Sequence, residues 1–387
     1  MVLKVAGRGR IDPFIVMDVL RDANARAATG AEVMHLEVGQ PGTGAPAGVV
    51  AAARAALGTE RLGYTDALGM PALREALARH YRDFYGVSVP ASRIVVTTGS
   101  SGGFILAFLA AFEAGDRVAV AAPGYPAYRN ILTALGVETV PIETGPEDRF
   151  QPTPALLDRL DGALDGLIVA SPSNPTGTMV DAAGLAALSA WCRARGVRFV
   201  SDEIYHGIVY GEPAPTALSF GDEAIVVNSF SKYFAMTGWR LGWLVLPEDL
   251  VRPVDCLAQN FAVSPPTLSQ HGALAVFDCH DELRENVRRY ARNRALLLER
   301  LPEAGFGDLA AADGAFYIYA DVGRLTNDSP AFCRRVLAET GVAITPGVDF
   351  DPRRGHRYVR FSFAGGEAEI AAAADRLVDW KGGALSS

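Results

Sequence analysis

"GLIVASPSNPTG", residues 166–177, sets Leu167, Ile168 and Val169 between a glycine and a loop of serines and prolines. The run is strand-length, and its apolar residues are consecutive rather than alternating, as a strand covered on both faces requires. The pattern that follows, "AAGLAALSAWCRARG" (182–196), returns apolar residues at Leu185, Leu188 and Cys192, a helical spacing. A unit of strand, polar loop and helix is legible in this one stretch.

Working outward, the unit recurs between about residues 92 and 245. "RIVVTTG" precedes "FILAFLAAF", "RVAVAAP" precedes "AYRNILTALG", and "VRFVSDE", "AIVVNSF" and "GWLVLP" follow. Repeated strand–helix alternation predicts an α/β domain whose largely parallel sheet is flanked by helices. The polar residues collect after the strands, in "TGSSGG", "PGYP", "SPSNPTG", "SDEIY" and "NSFSK". Ligands of open α/β sheets bind outside the carboxyl ends of the strands, so five polar loops on one edge imply one shared site. From about residue 275 the pattern changes. A long charged helix at "DELRENVRRYARNRALLLERL" is followed by strand-like "GAFYIYADV", a helix at "PAFCRRVLAET", strand-like "GVAITPG" and "HRYVRFSFA", and a last helix at "EAEIAAAADRLVDW". This reads as a smaller α+β lobe.

Composition narrows the function. A chain of 387 residues exceeds one typical core. Its net charge of -8 opposes a nucleic-acid partner, which needs a basic stripe. "FILAFLAAF" is too short to span a bilayer, and no signal-type apolar segment opens the chain, so a cytoplasmic protein is expected. Cys192, Cys256, Cys279 and Cys333 have no metal-binding spacing and are expected to be buried free thiols. The six histidines form no cluster, and no metal is implied. Only three lysines occur, Lys4, Lys232 and Lys381, and two of them lie near the ends. If chemistry needs an amine, Lys232 of "NSFSKYFAMTGWR" (228–240) supplies it.

Taken in order, "DPFIVMDVL", "GYTDALGMPALREA", "PGYPAY", "SNPTG", "DEIY", "SFSK", "GWRLGW" and "RFSFA" resemble the class I/II aminotransferases of fold type I, the aspartate aminotransferase superfamily. That resemblance implies pyridoxal 5'-phosphate (PLP), a large PLP-binding domain at 46–275, a small α+β domain from both chain ends (1–45 and 276–387), and a homodimer with shared active sites. It also implies ping-pong transfer of an amino group from an amino acid to a 2-oxo acid.

Roles follow residue by residue. Lys232 matches the Schiff-base lysine, which must reach its neutral form to act as a nucleophile. Asp202 matches the partner of the pyridine nitrogen; the rival reading is a helix N-cap. Tyr205 and Asn174 match donors to the cofactor's phenolic oxygen, although a packed tyrosine and a turn asparagine are the plainer readings. Ser100, Ser101, Ser229, Ser231 and Arg240 match the phosphate ligands, with Tyr125 stacked on the ring. Arg360 matches the clamp on the substrate carboxylate, with Asn174 and the backbone of Gly39 beside it. Tyr64 matches a residue that reaches the partner subunit's phosphate. Glu203 and His206 are expected to be structural.

The same fold hosts C–S β-lyases, so that reaction is the alternative. A PLP-binding regulator without catalysis is more remote, since the match starts within the first twenty residues and leaves no room for a DNA-binding domain. No second cationic clamp is evident. Together with Phe14 and Ile15, which could face the side-chain pocket, that leans toward a neutral or hydrophobic amino donor.

Overall fold

The computed structural model describes residues 3–380, so Lys381 lies outside the described residues. A short strand β1 (Met34–His35) precedes a run of seven. These are β2 (Ile94–Thr97), β3 (Arg117–Ala122), β4 (Glu138–Glu143), β5 (Gly166–Ala170), β6 (Arg198–Asp202), β7 (Ile225–Ser229) and β8 (Gly242–Val245). They form one sheet in the order β2-β8-β7-β6-β5-β3-β4. Every strand is parallel except β8, which is antiparallel to β2 and β7. This is the expected α/β architecture.

The consecutive apolar residues divide between two faces. Val95, Ile168, Val200, Val227 and Leu244 pack with Phe104 and Phe108 on one side. Val96, Leu167, Val169, Phe199 and Val226 pack with Leu185 and Leu188 on the other. Burial contributes about 1.5–3 kcal/mol for each such side chain. Val200 is fully buried in the central β6, so Val200→Asp, which strands a carboxylate there, is the change expected to break the sheet.

β4 is the strand that pattern reading missed. Its "ETVPIE" carries Pro141, which cannot donate to a ladder and is tolerated because β4 is an edge strand paired only with β3.

The remaining strands are β9 (Gly307–Leu309), β10 (Tyr317–Asp321), β11 (Val342–Ala343), β12 (Thr345–Pro346) and β13 (Tyr358–Ser362). An antiparallel sheet runs β12-β13-β10-β9, while β1 pairs parallel with β11, Met34 opposite Val342. The 24-residue helix His280–Glu303 buries Leu283, Tyr290 and Leu297, a seven-residue spacing, and lies against the helix Glu367–Trp380.

Direction of the strands positions the site. The carboxyl ends of β2, β3, β5, β6 and β7 share one edge, and the reversed β8 puts its first residue there too. Gly242 lies in register with Thr97 and Ser229, and Asp202 with Ala170 and Val227. All five polar loops therefore open on the same edge. The four cysteines are free thiols, but only Cys192 and Cys333 are buried; Cys256 and Cys279 are half-exposed, contrary to expectation. Among the described residues no helix is long and apolar enough to cross a membrane.

Candidate active site

Lys232 lies in the turn after β7 and donates a 2.6 Å hydrogen bond from Nζ to the carbonyl oxygen of Gly39. Burial, reinforced by the Arg360 and Arg240 cations, lowers its pKa to about 8, with Asp202 pulling weakly the other way. A lysine in this state supplies appreciable neutral amine near physiological pH.

Asp202 closes β6 and is buried. One carboxylate oxygen accepts from the Tyr128 hydroxyl and the other from the Ile204 N–H at 3.1 Å. No helix begins here, because turn residues follow, so the N-cap alternative is excluded. Desolvation raises its pKa to about 6, against the lowering influence of the Tyr128 hydroxyl, the Ile204 N–H and Lys232. A cationic ring nitrogen against this carboxylate would offset the desolvation.

Glu203, next in sequence, is structural. One of its oxygens accepts from the Ser201 and Thr216 hydroxyls and the Ala217 N–H. Burial moves it to about 7. His206 is structural as well, held between the Ser171 carbonyl and the Tyr85 hydroxyl, each at 2.9 Å, and depressed to about 3 by burial.

An anion cradle lies at the other end of the edge. The helix Gly99–Ala111 starts without a side-chain cap, leaving the N–H groups of its first turn, where Ser100 and Ser101 sit, free to meet an anion. Arg240 packs on that turn so closely that a Cβ on Gly99 would fall 2.6 Å from Nη2. Ser229 contributes differently from its expected role. Its hydroxyl donates to the Leu241 carbonyl and accepts from the Ser231 N–H, so it shapes the turn that presents Ser231 and Lys232.

Opposite the lysine, Arg360 of β13 is 2% exposed yet has no carboxylate partner among the described residues. Its Nη1 donates to Asn174 Oδ1 at 2.8 Å, and its Nη2 to the Glu37 carbonyl and the Thr345 hydroxyl. Its Nε is buried and unpaired. A buried cation that forms no ion pair among the described residues is costly unless an anion meets it, and an unpaired Nε suits a carboxylate.

The Lys232 amine thus lies within electrostatic reach of the Asp202 carboxylate and of the Arg240 and Arg360 guanidinium groups. Residues 31–377 match the model of the family "Aminotransferase class I and II". The chain belongs to the class I and II aminotransferases. It transfers an amino group between an amino acid and a 2-oxo acid. Among its relatives is a valine–pyruvate aminotransferase of Mycobacterium tuberculosis, 53% identical over 98% of this chain and 99% of that protein. An aspartate/prephenate aminotransferase of Thermus thermophilus is 33% identical over 90% and 91% of the two chains. The crystal structure of an aminotransferase from Mycobacterium tuberculosis superposes with a TM-score of 0.96 at 53% identity, covering 98% of this chain and 99% of that one.

Tyr205, Tyr125 and Tyr64 occupy different settings in this aminotransferase. Tyr205 is buried with its hydroxyl 2.7 Å from that of Tyr317. Tyr125 is half-buried and meets Tyr128 and Phe14 edge-on, at 5.3 and 5.8 Å between ring centres. Phe14 thus packs on Tyr125, and the backbone N–H groups of Ile15 and Val16 beside it donate to the Asp349 carboxylate. Tyr64 stands apart, 85% exposed on the loop before the helix Pro71–His80. Two residues escaped the sequence reading, Tyr128 and Tyr317. Only their positions, in "PGYPAY" and at the start of the strand-like "YIYAD", carried any signal, and an aromatic in a helix or strand reads first as core.

Proposed function

We propose that this aminotransferase takes a neutral aliphatic amino acid as donor and pyruvate as acceptor, with PLP held on Lys232. Arg360 carries the reading: a buried guanidinium without a counter-ion, whose Glu37 anchor lies two residues from the Gly39 carbonyl that holds Lys232. PLP would supply an aldehyde that links to amines and a ring that accepts electron density from the α-carbon. Ser100, Ser101, Ser231 and Arg240 would hold its phosphate. Asp202 would keep its ring nitrogen protonated, Tyr205 and Asn174 would face its phenolic oxygen, and Tyr125 would cover its face.

The chain's own groups then divide the work. Arg360 and Asn174 orient the substrate carboxylate. Lys232, depressed to about 8 and freed from PLP by the incoming amine, would take a proton from the substrate α-carbon and deliver it to the cofactor carbon on the far side of the amino nitrogen. The apolar Phe14 edge beside Tyr125 and the valine–pyruvate relative support the donor class.

The pairing of β1 with β11 supports a small domain made of 1–45 and 276–387 beside a large one of 46–275. The exposure of Tyr64 supports a homodimer in which that side chain reaches the partner's phosphate. The free thiols fit a reducing, cytoplasmic setting.

A donor screen against pyruvate, reading each 2-oxo acid formed, tests the substrate assignment. Valine or a similar aliphatic donor should exceed aspartate at least about tenfold in kcat/KM, the discrimination expected from 1.4 kcal/mol of pocket contacts. Aspartate as the preferred donor would overturn it.

A further inference from the structure

Tyr317, the first residue of β10, touches three parts of the site at once. Its hydroxyl is 2.7 Å from that of Tyr205. Its ring centre lies 4.4 Å from the Arg360 guanidinium, and that of Phe350 lies 4.8 Å from the same group. It also crowds Gly39 so closely that a Cβ there would sit 1.8 Å from the Tyr317 hydroxyl oxygen. The same glycine's carbonyl holds Lys232.

Two phenols that share one hydrogen bond use one of their two protons. Burial raises the pKa of both, so each keeps its proton. Which phenol donates decides whether Tyr205 has a proton left for a ligand. If Tyr205 donates to Tyr317, its own oxygen can offer an anion nothing. If Tyr317 donates, the Tyr205 proton is free, and accepting a bond makes Tyr205 a stronger donor through polarisation. The Arg360 cation on the Tyr317 ring favours the second arrangement, because it makes that phenol the more acidic partner. The other charged or titratable groups around the pair are Lys232, 5.8 Å from the Tyr205 ring centre, Tyr125, and Asp202 and Arg240 beyond Tyr125.

We infer that Tyr317 is a positioning residue that couples the carboxylate clamp to the phenol donor: its ring seats Arg360, and its hydroxyl donates to Tyr205, directing the Tyr205 proton to the cofactor's phenolic oxygen. This rests on the PLP reading above and adds a second tyrosine to it.

The two halves of the role separate by substitution. Tyr317→Phe keeps the ring and removes the hydroxyl, while Tyr317→Leu removes both. The readout is the pH midpoint at which the visible band of the PLP-loaded protein changes as the Lys232-linked chromophore loses its proton. Tyr205 stabilises the deprotonated form by donating to its oxygen, so Tyr205→Phe should raise the midpoint. Tyr317→Phe should raise it in the same direction, by on the order of 10–30% of that shift, with KM unchanged. In the double variant it should add nothing to Tyr205→Phe. Tyr317→Leu should also raise KM for the amino donor.

An unmoved midpoint in Tyr317→Phe, or a shift fully additive with that of Tyr205→Phe, would overturn the inference. Absence of any visible band in the wild-type protein incubated with PLP would instead remove the reading on which it rests.

Discussion

Lys232 and Arg360 are tied to one short segment of chain: Nζ of the lysine donates to the Gly39 carbonyl, and Nη2 of the arginine to the Glu37 carbonyl. The two side chains are 128 positions apart in the sequence, yet one three-residue stretch of backbone, Glu37 to Gly39, holds them both. After burial, the cation at one end is the next largest influence lowering the pKa of the amine at the other.

That coupling predicts a pH dependence. Neutral amine is the reactive form, so capture of PLP by the unliganded protein should accelerate as pH rises through about 8, not through the 10.5 of an ordinary lysine. Arg360→Met removes one lowering cation and should move the midpoint upward. Stopped-flow absorbance across about pH 6–11 measures both, and a wild-type midpoint near that of an ordinary lysine would contradict the assignment.

Asp202→Asn should still bind PLP but lose about 100-fold or more in kcat, since an amide cannot hold a ring nitrogen protonated. The unliganded protein offers an independent check. Asp202 has a folded pKa near 6 against 3.8 in the unfolded chain. Its contribution to stability is therefore full below pH 3.8 and is lost as pH rises through 6. Urea midpoints should fall across that window more in the wild-type protein than in the Asn variant. Equal slopes, or near-normal turnover by the variant, would reduce Asp202 to a structural residue.

Arg360→Met should cost about 10–100-fold in kcat/KM, from loss of a charge-assisted bond to the substrate carboxylate. Without substrate, however, it removes a buried cation that has no carboxylate partner among the described residues. Thermal unfolding of the unliganded variant should accordingly show a Tm no lower than the wild type's. A large loss of Tm with little change in kcat/KM would make Arg360 a structural residue instead.

Much of this site was legible because chemistry and strand direction coincide. Polar loops after apolar runs place Asp202, Asn174 and Lys232 on one edge of a parallel sheet from pattern alone. What escaped had a local reason to look ordinary. Tyr128 sits in a helix and Tyr317 in a strand, where an aromatic is packing by default, and only the tertiary fold turns their hydroxyls to Asp202 and Tyr205. Ser229 was assigned by its motif, but the hydroxyl's own turn claims it. β4 was hidden by Pro141, which only an edge position permits.

Tyr64 is 85% exposed in the single chain and makes the dimer testable. If it serves the partner's site, Lys232→Ala and Tyr64→Ala chains refolded together should regain activity, provided Tyr64→Ala alone is clearly impaired. One site of the mixed dimer then carries both lesions and the other neither. Verified subunit exchange without recovery would confine Tyr64 to its own chain.

The central claim is that Lys232 carries the cofactor. Borohydride reduction of the PLP-loaded protein followed by peptide mapping tests it most directly, and the scarcity of lysine makes the map easy to read. The label should fall on the peptide containing Lys232 and vanish in Lys232→Ala. Label on Lys4 or Lys381, or none on a protein shown to be folded, would contradict it.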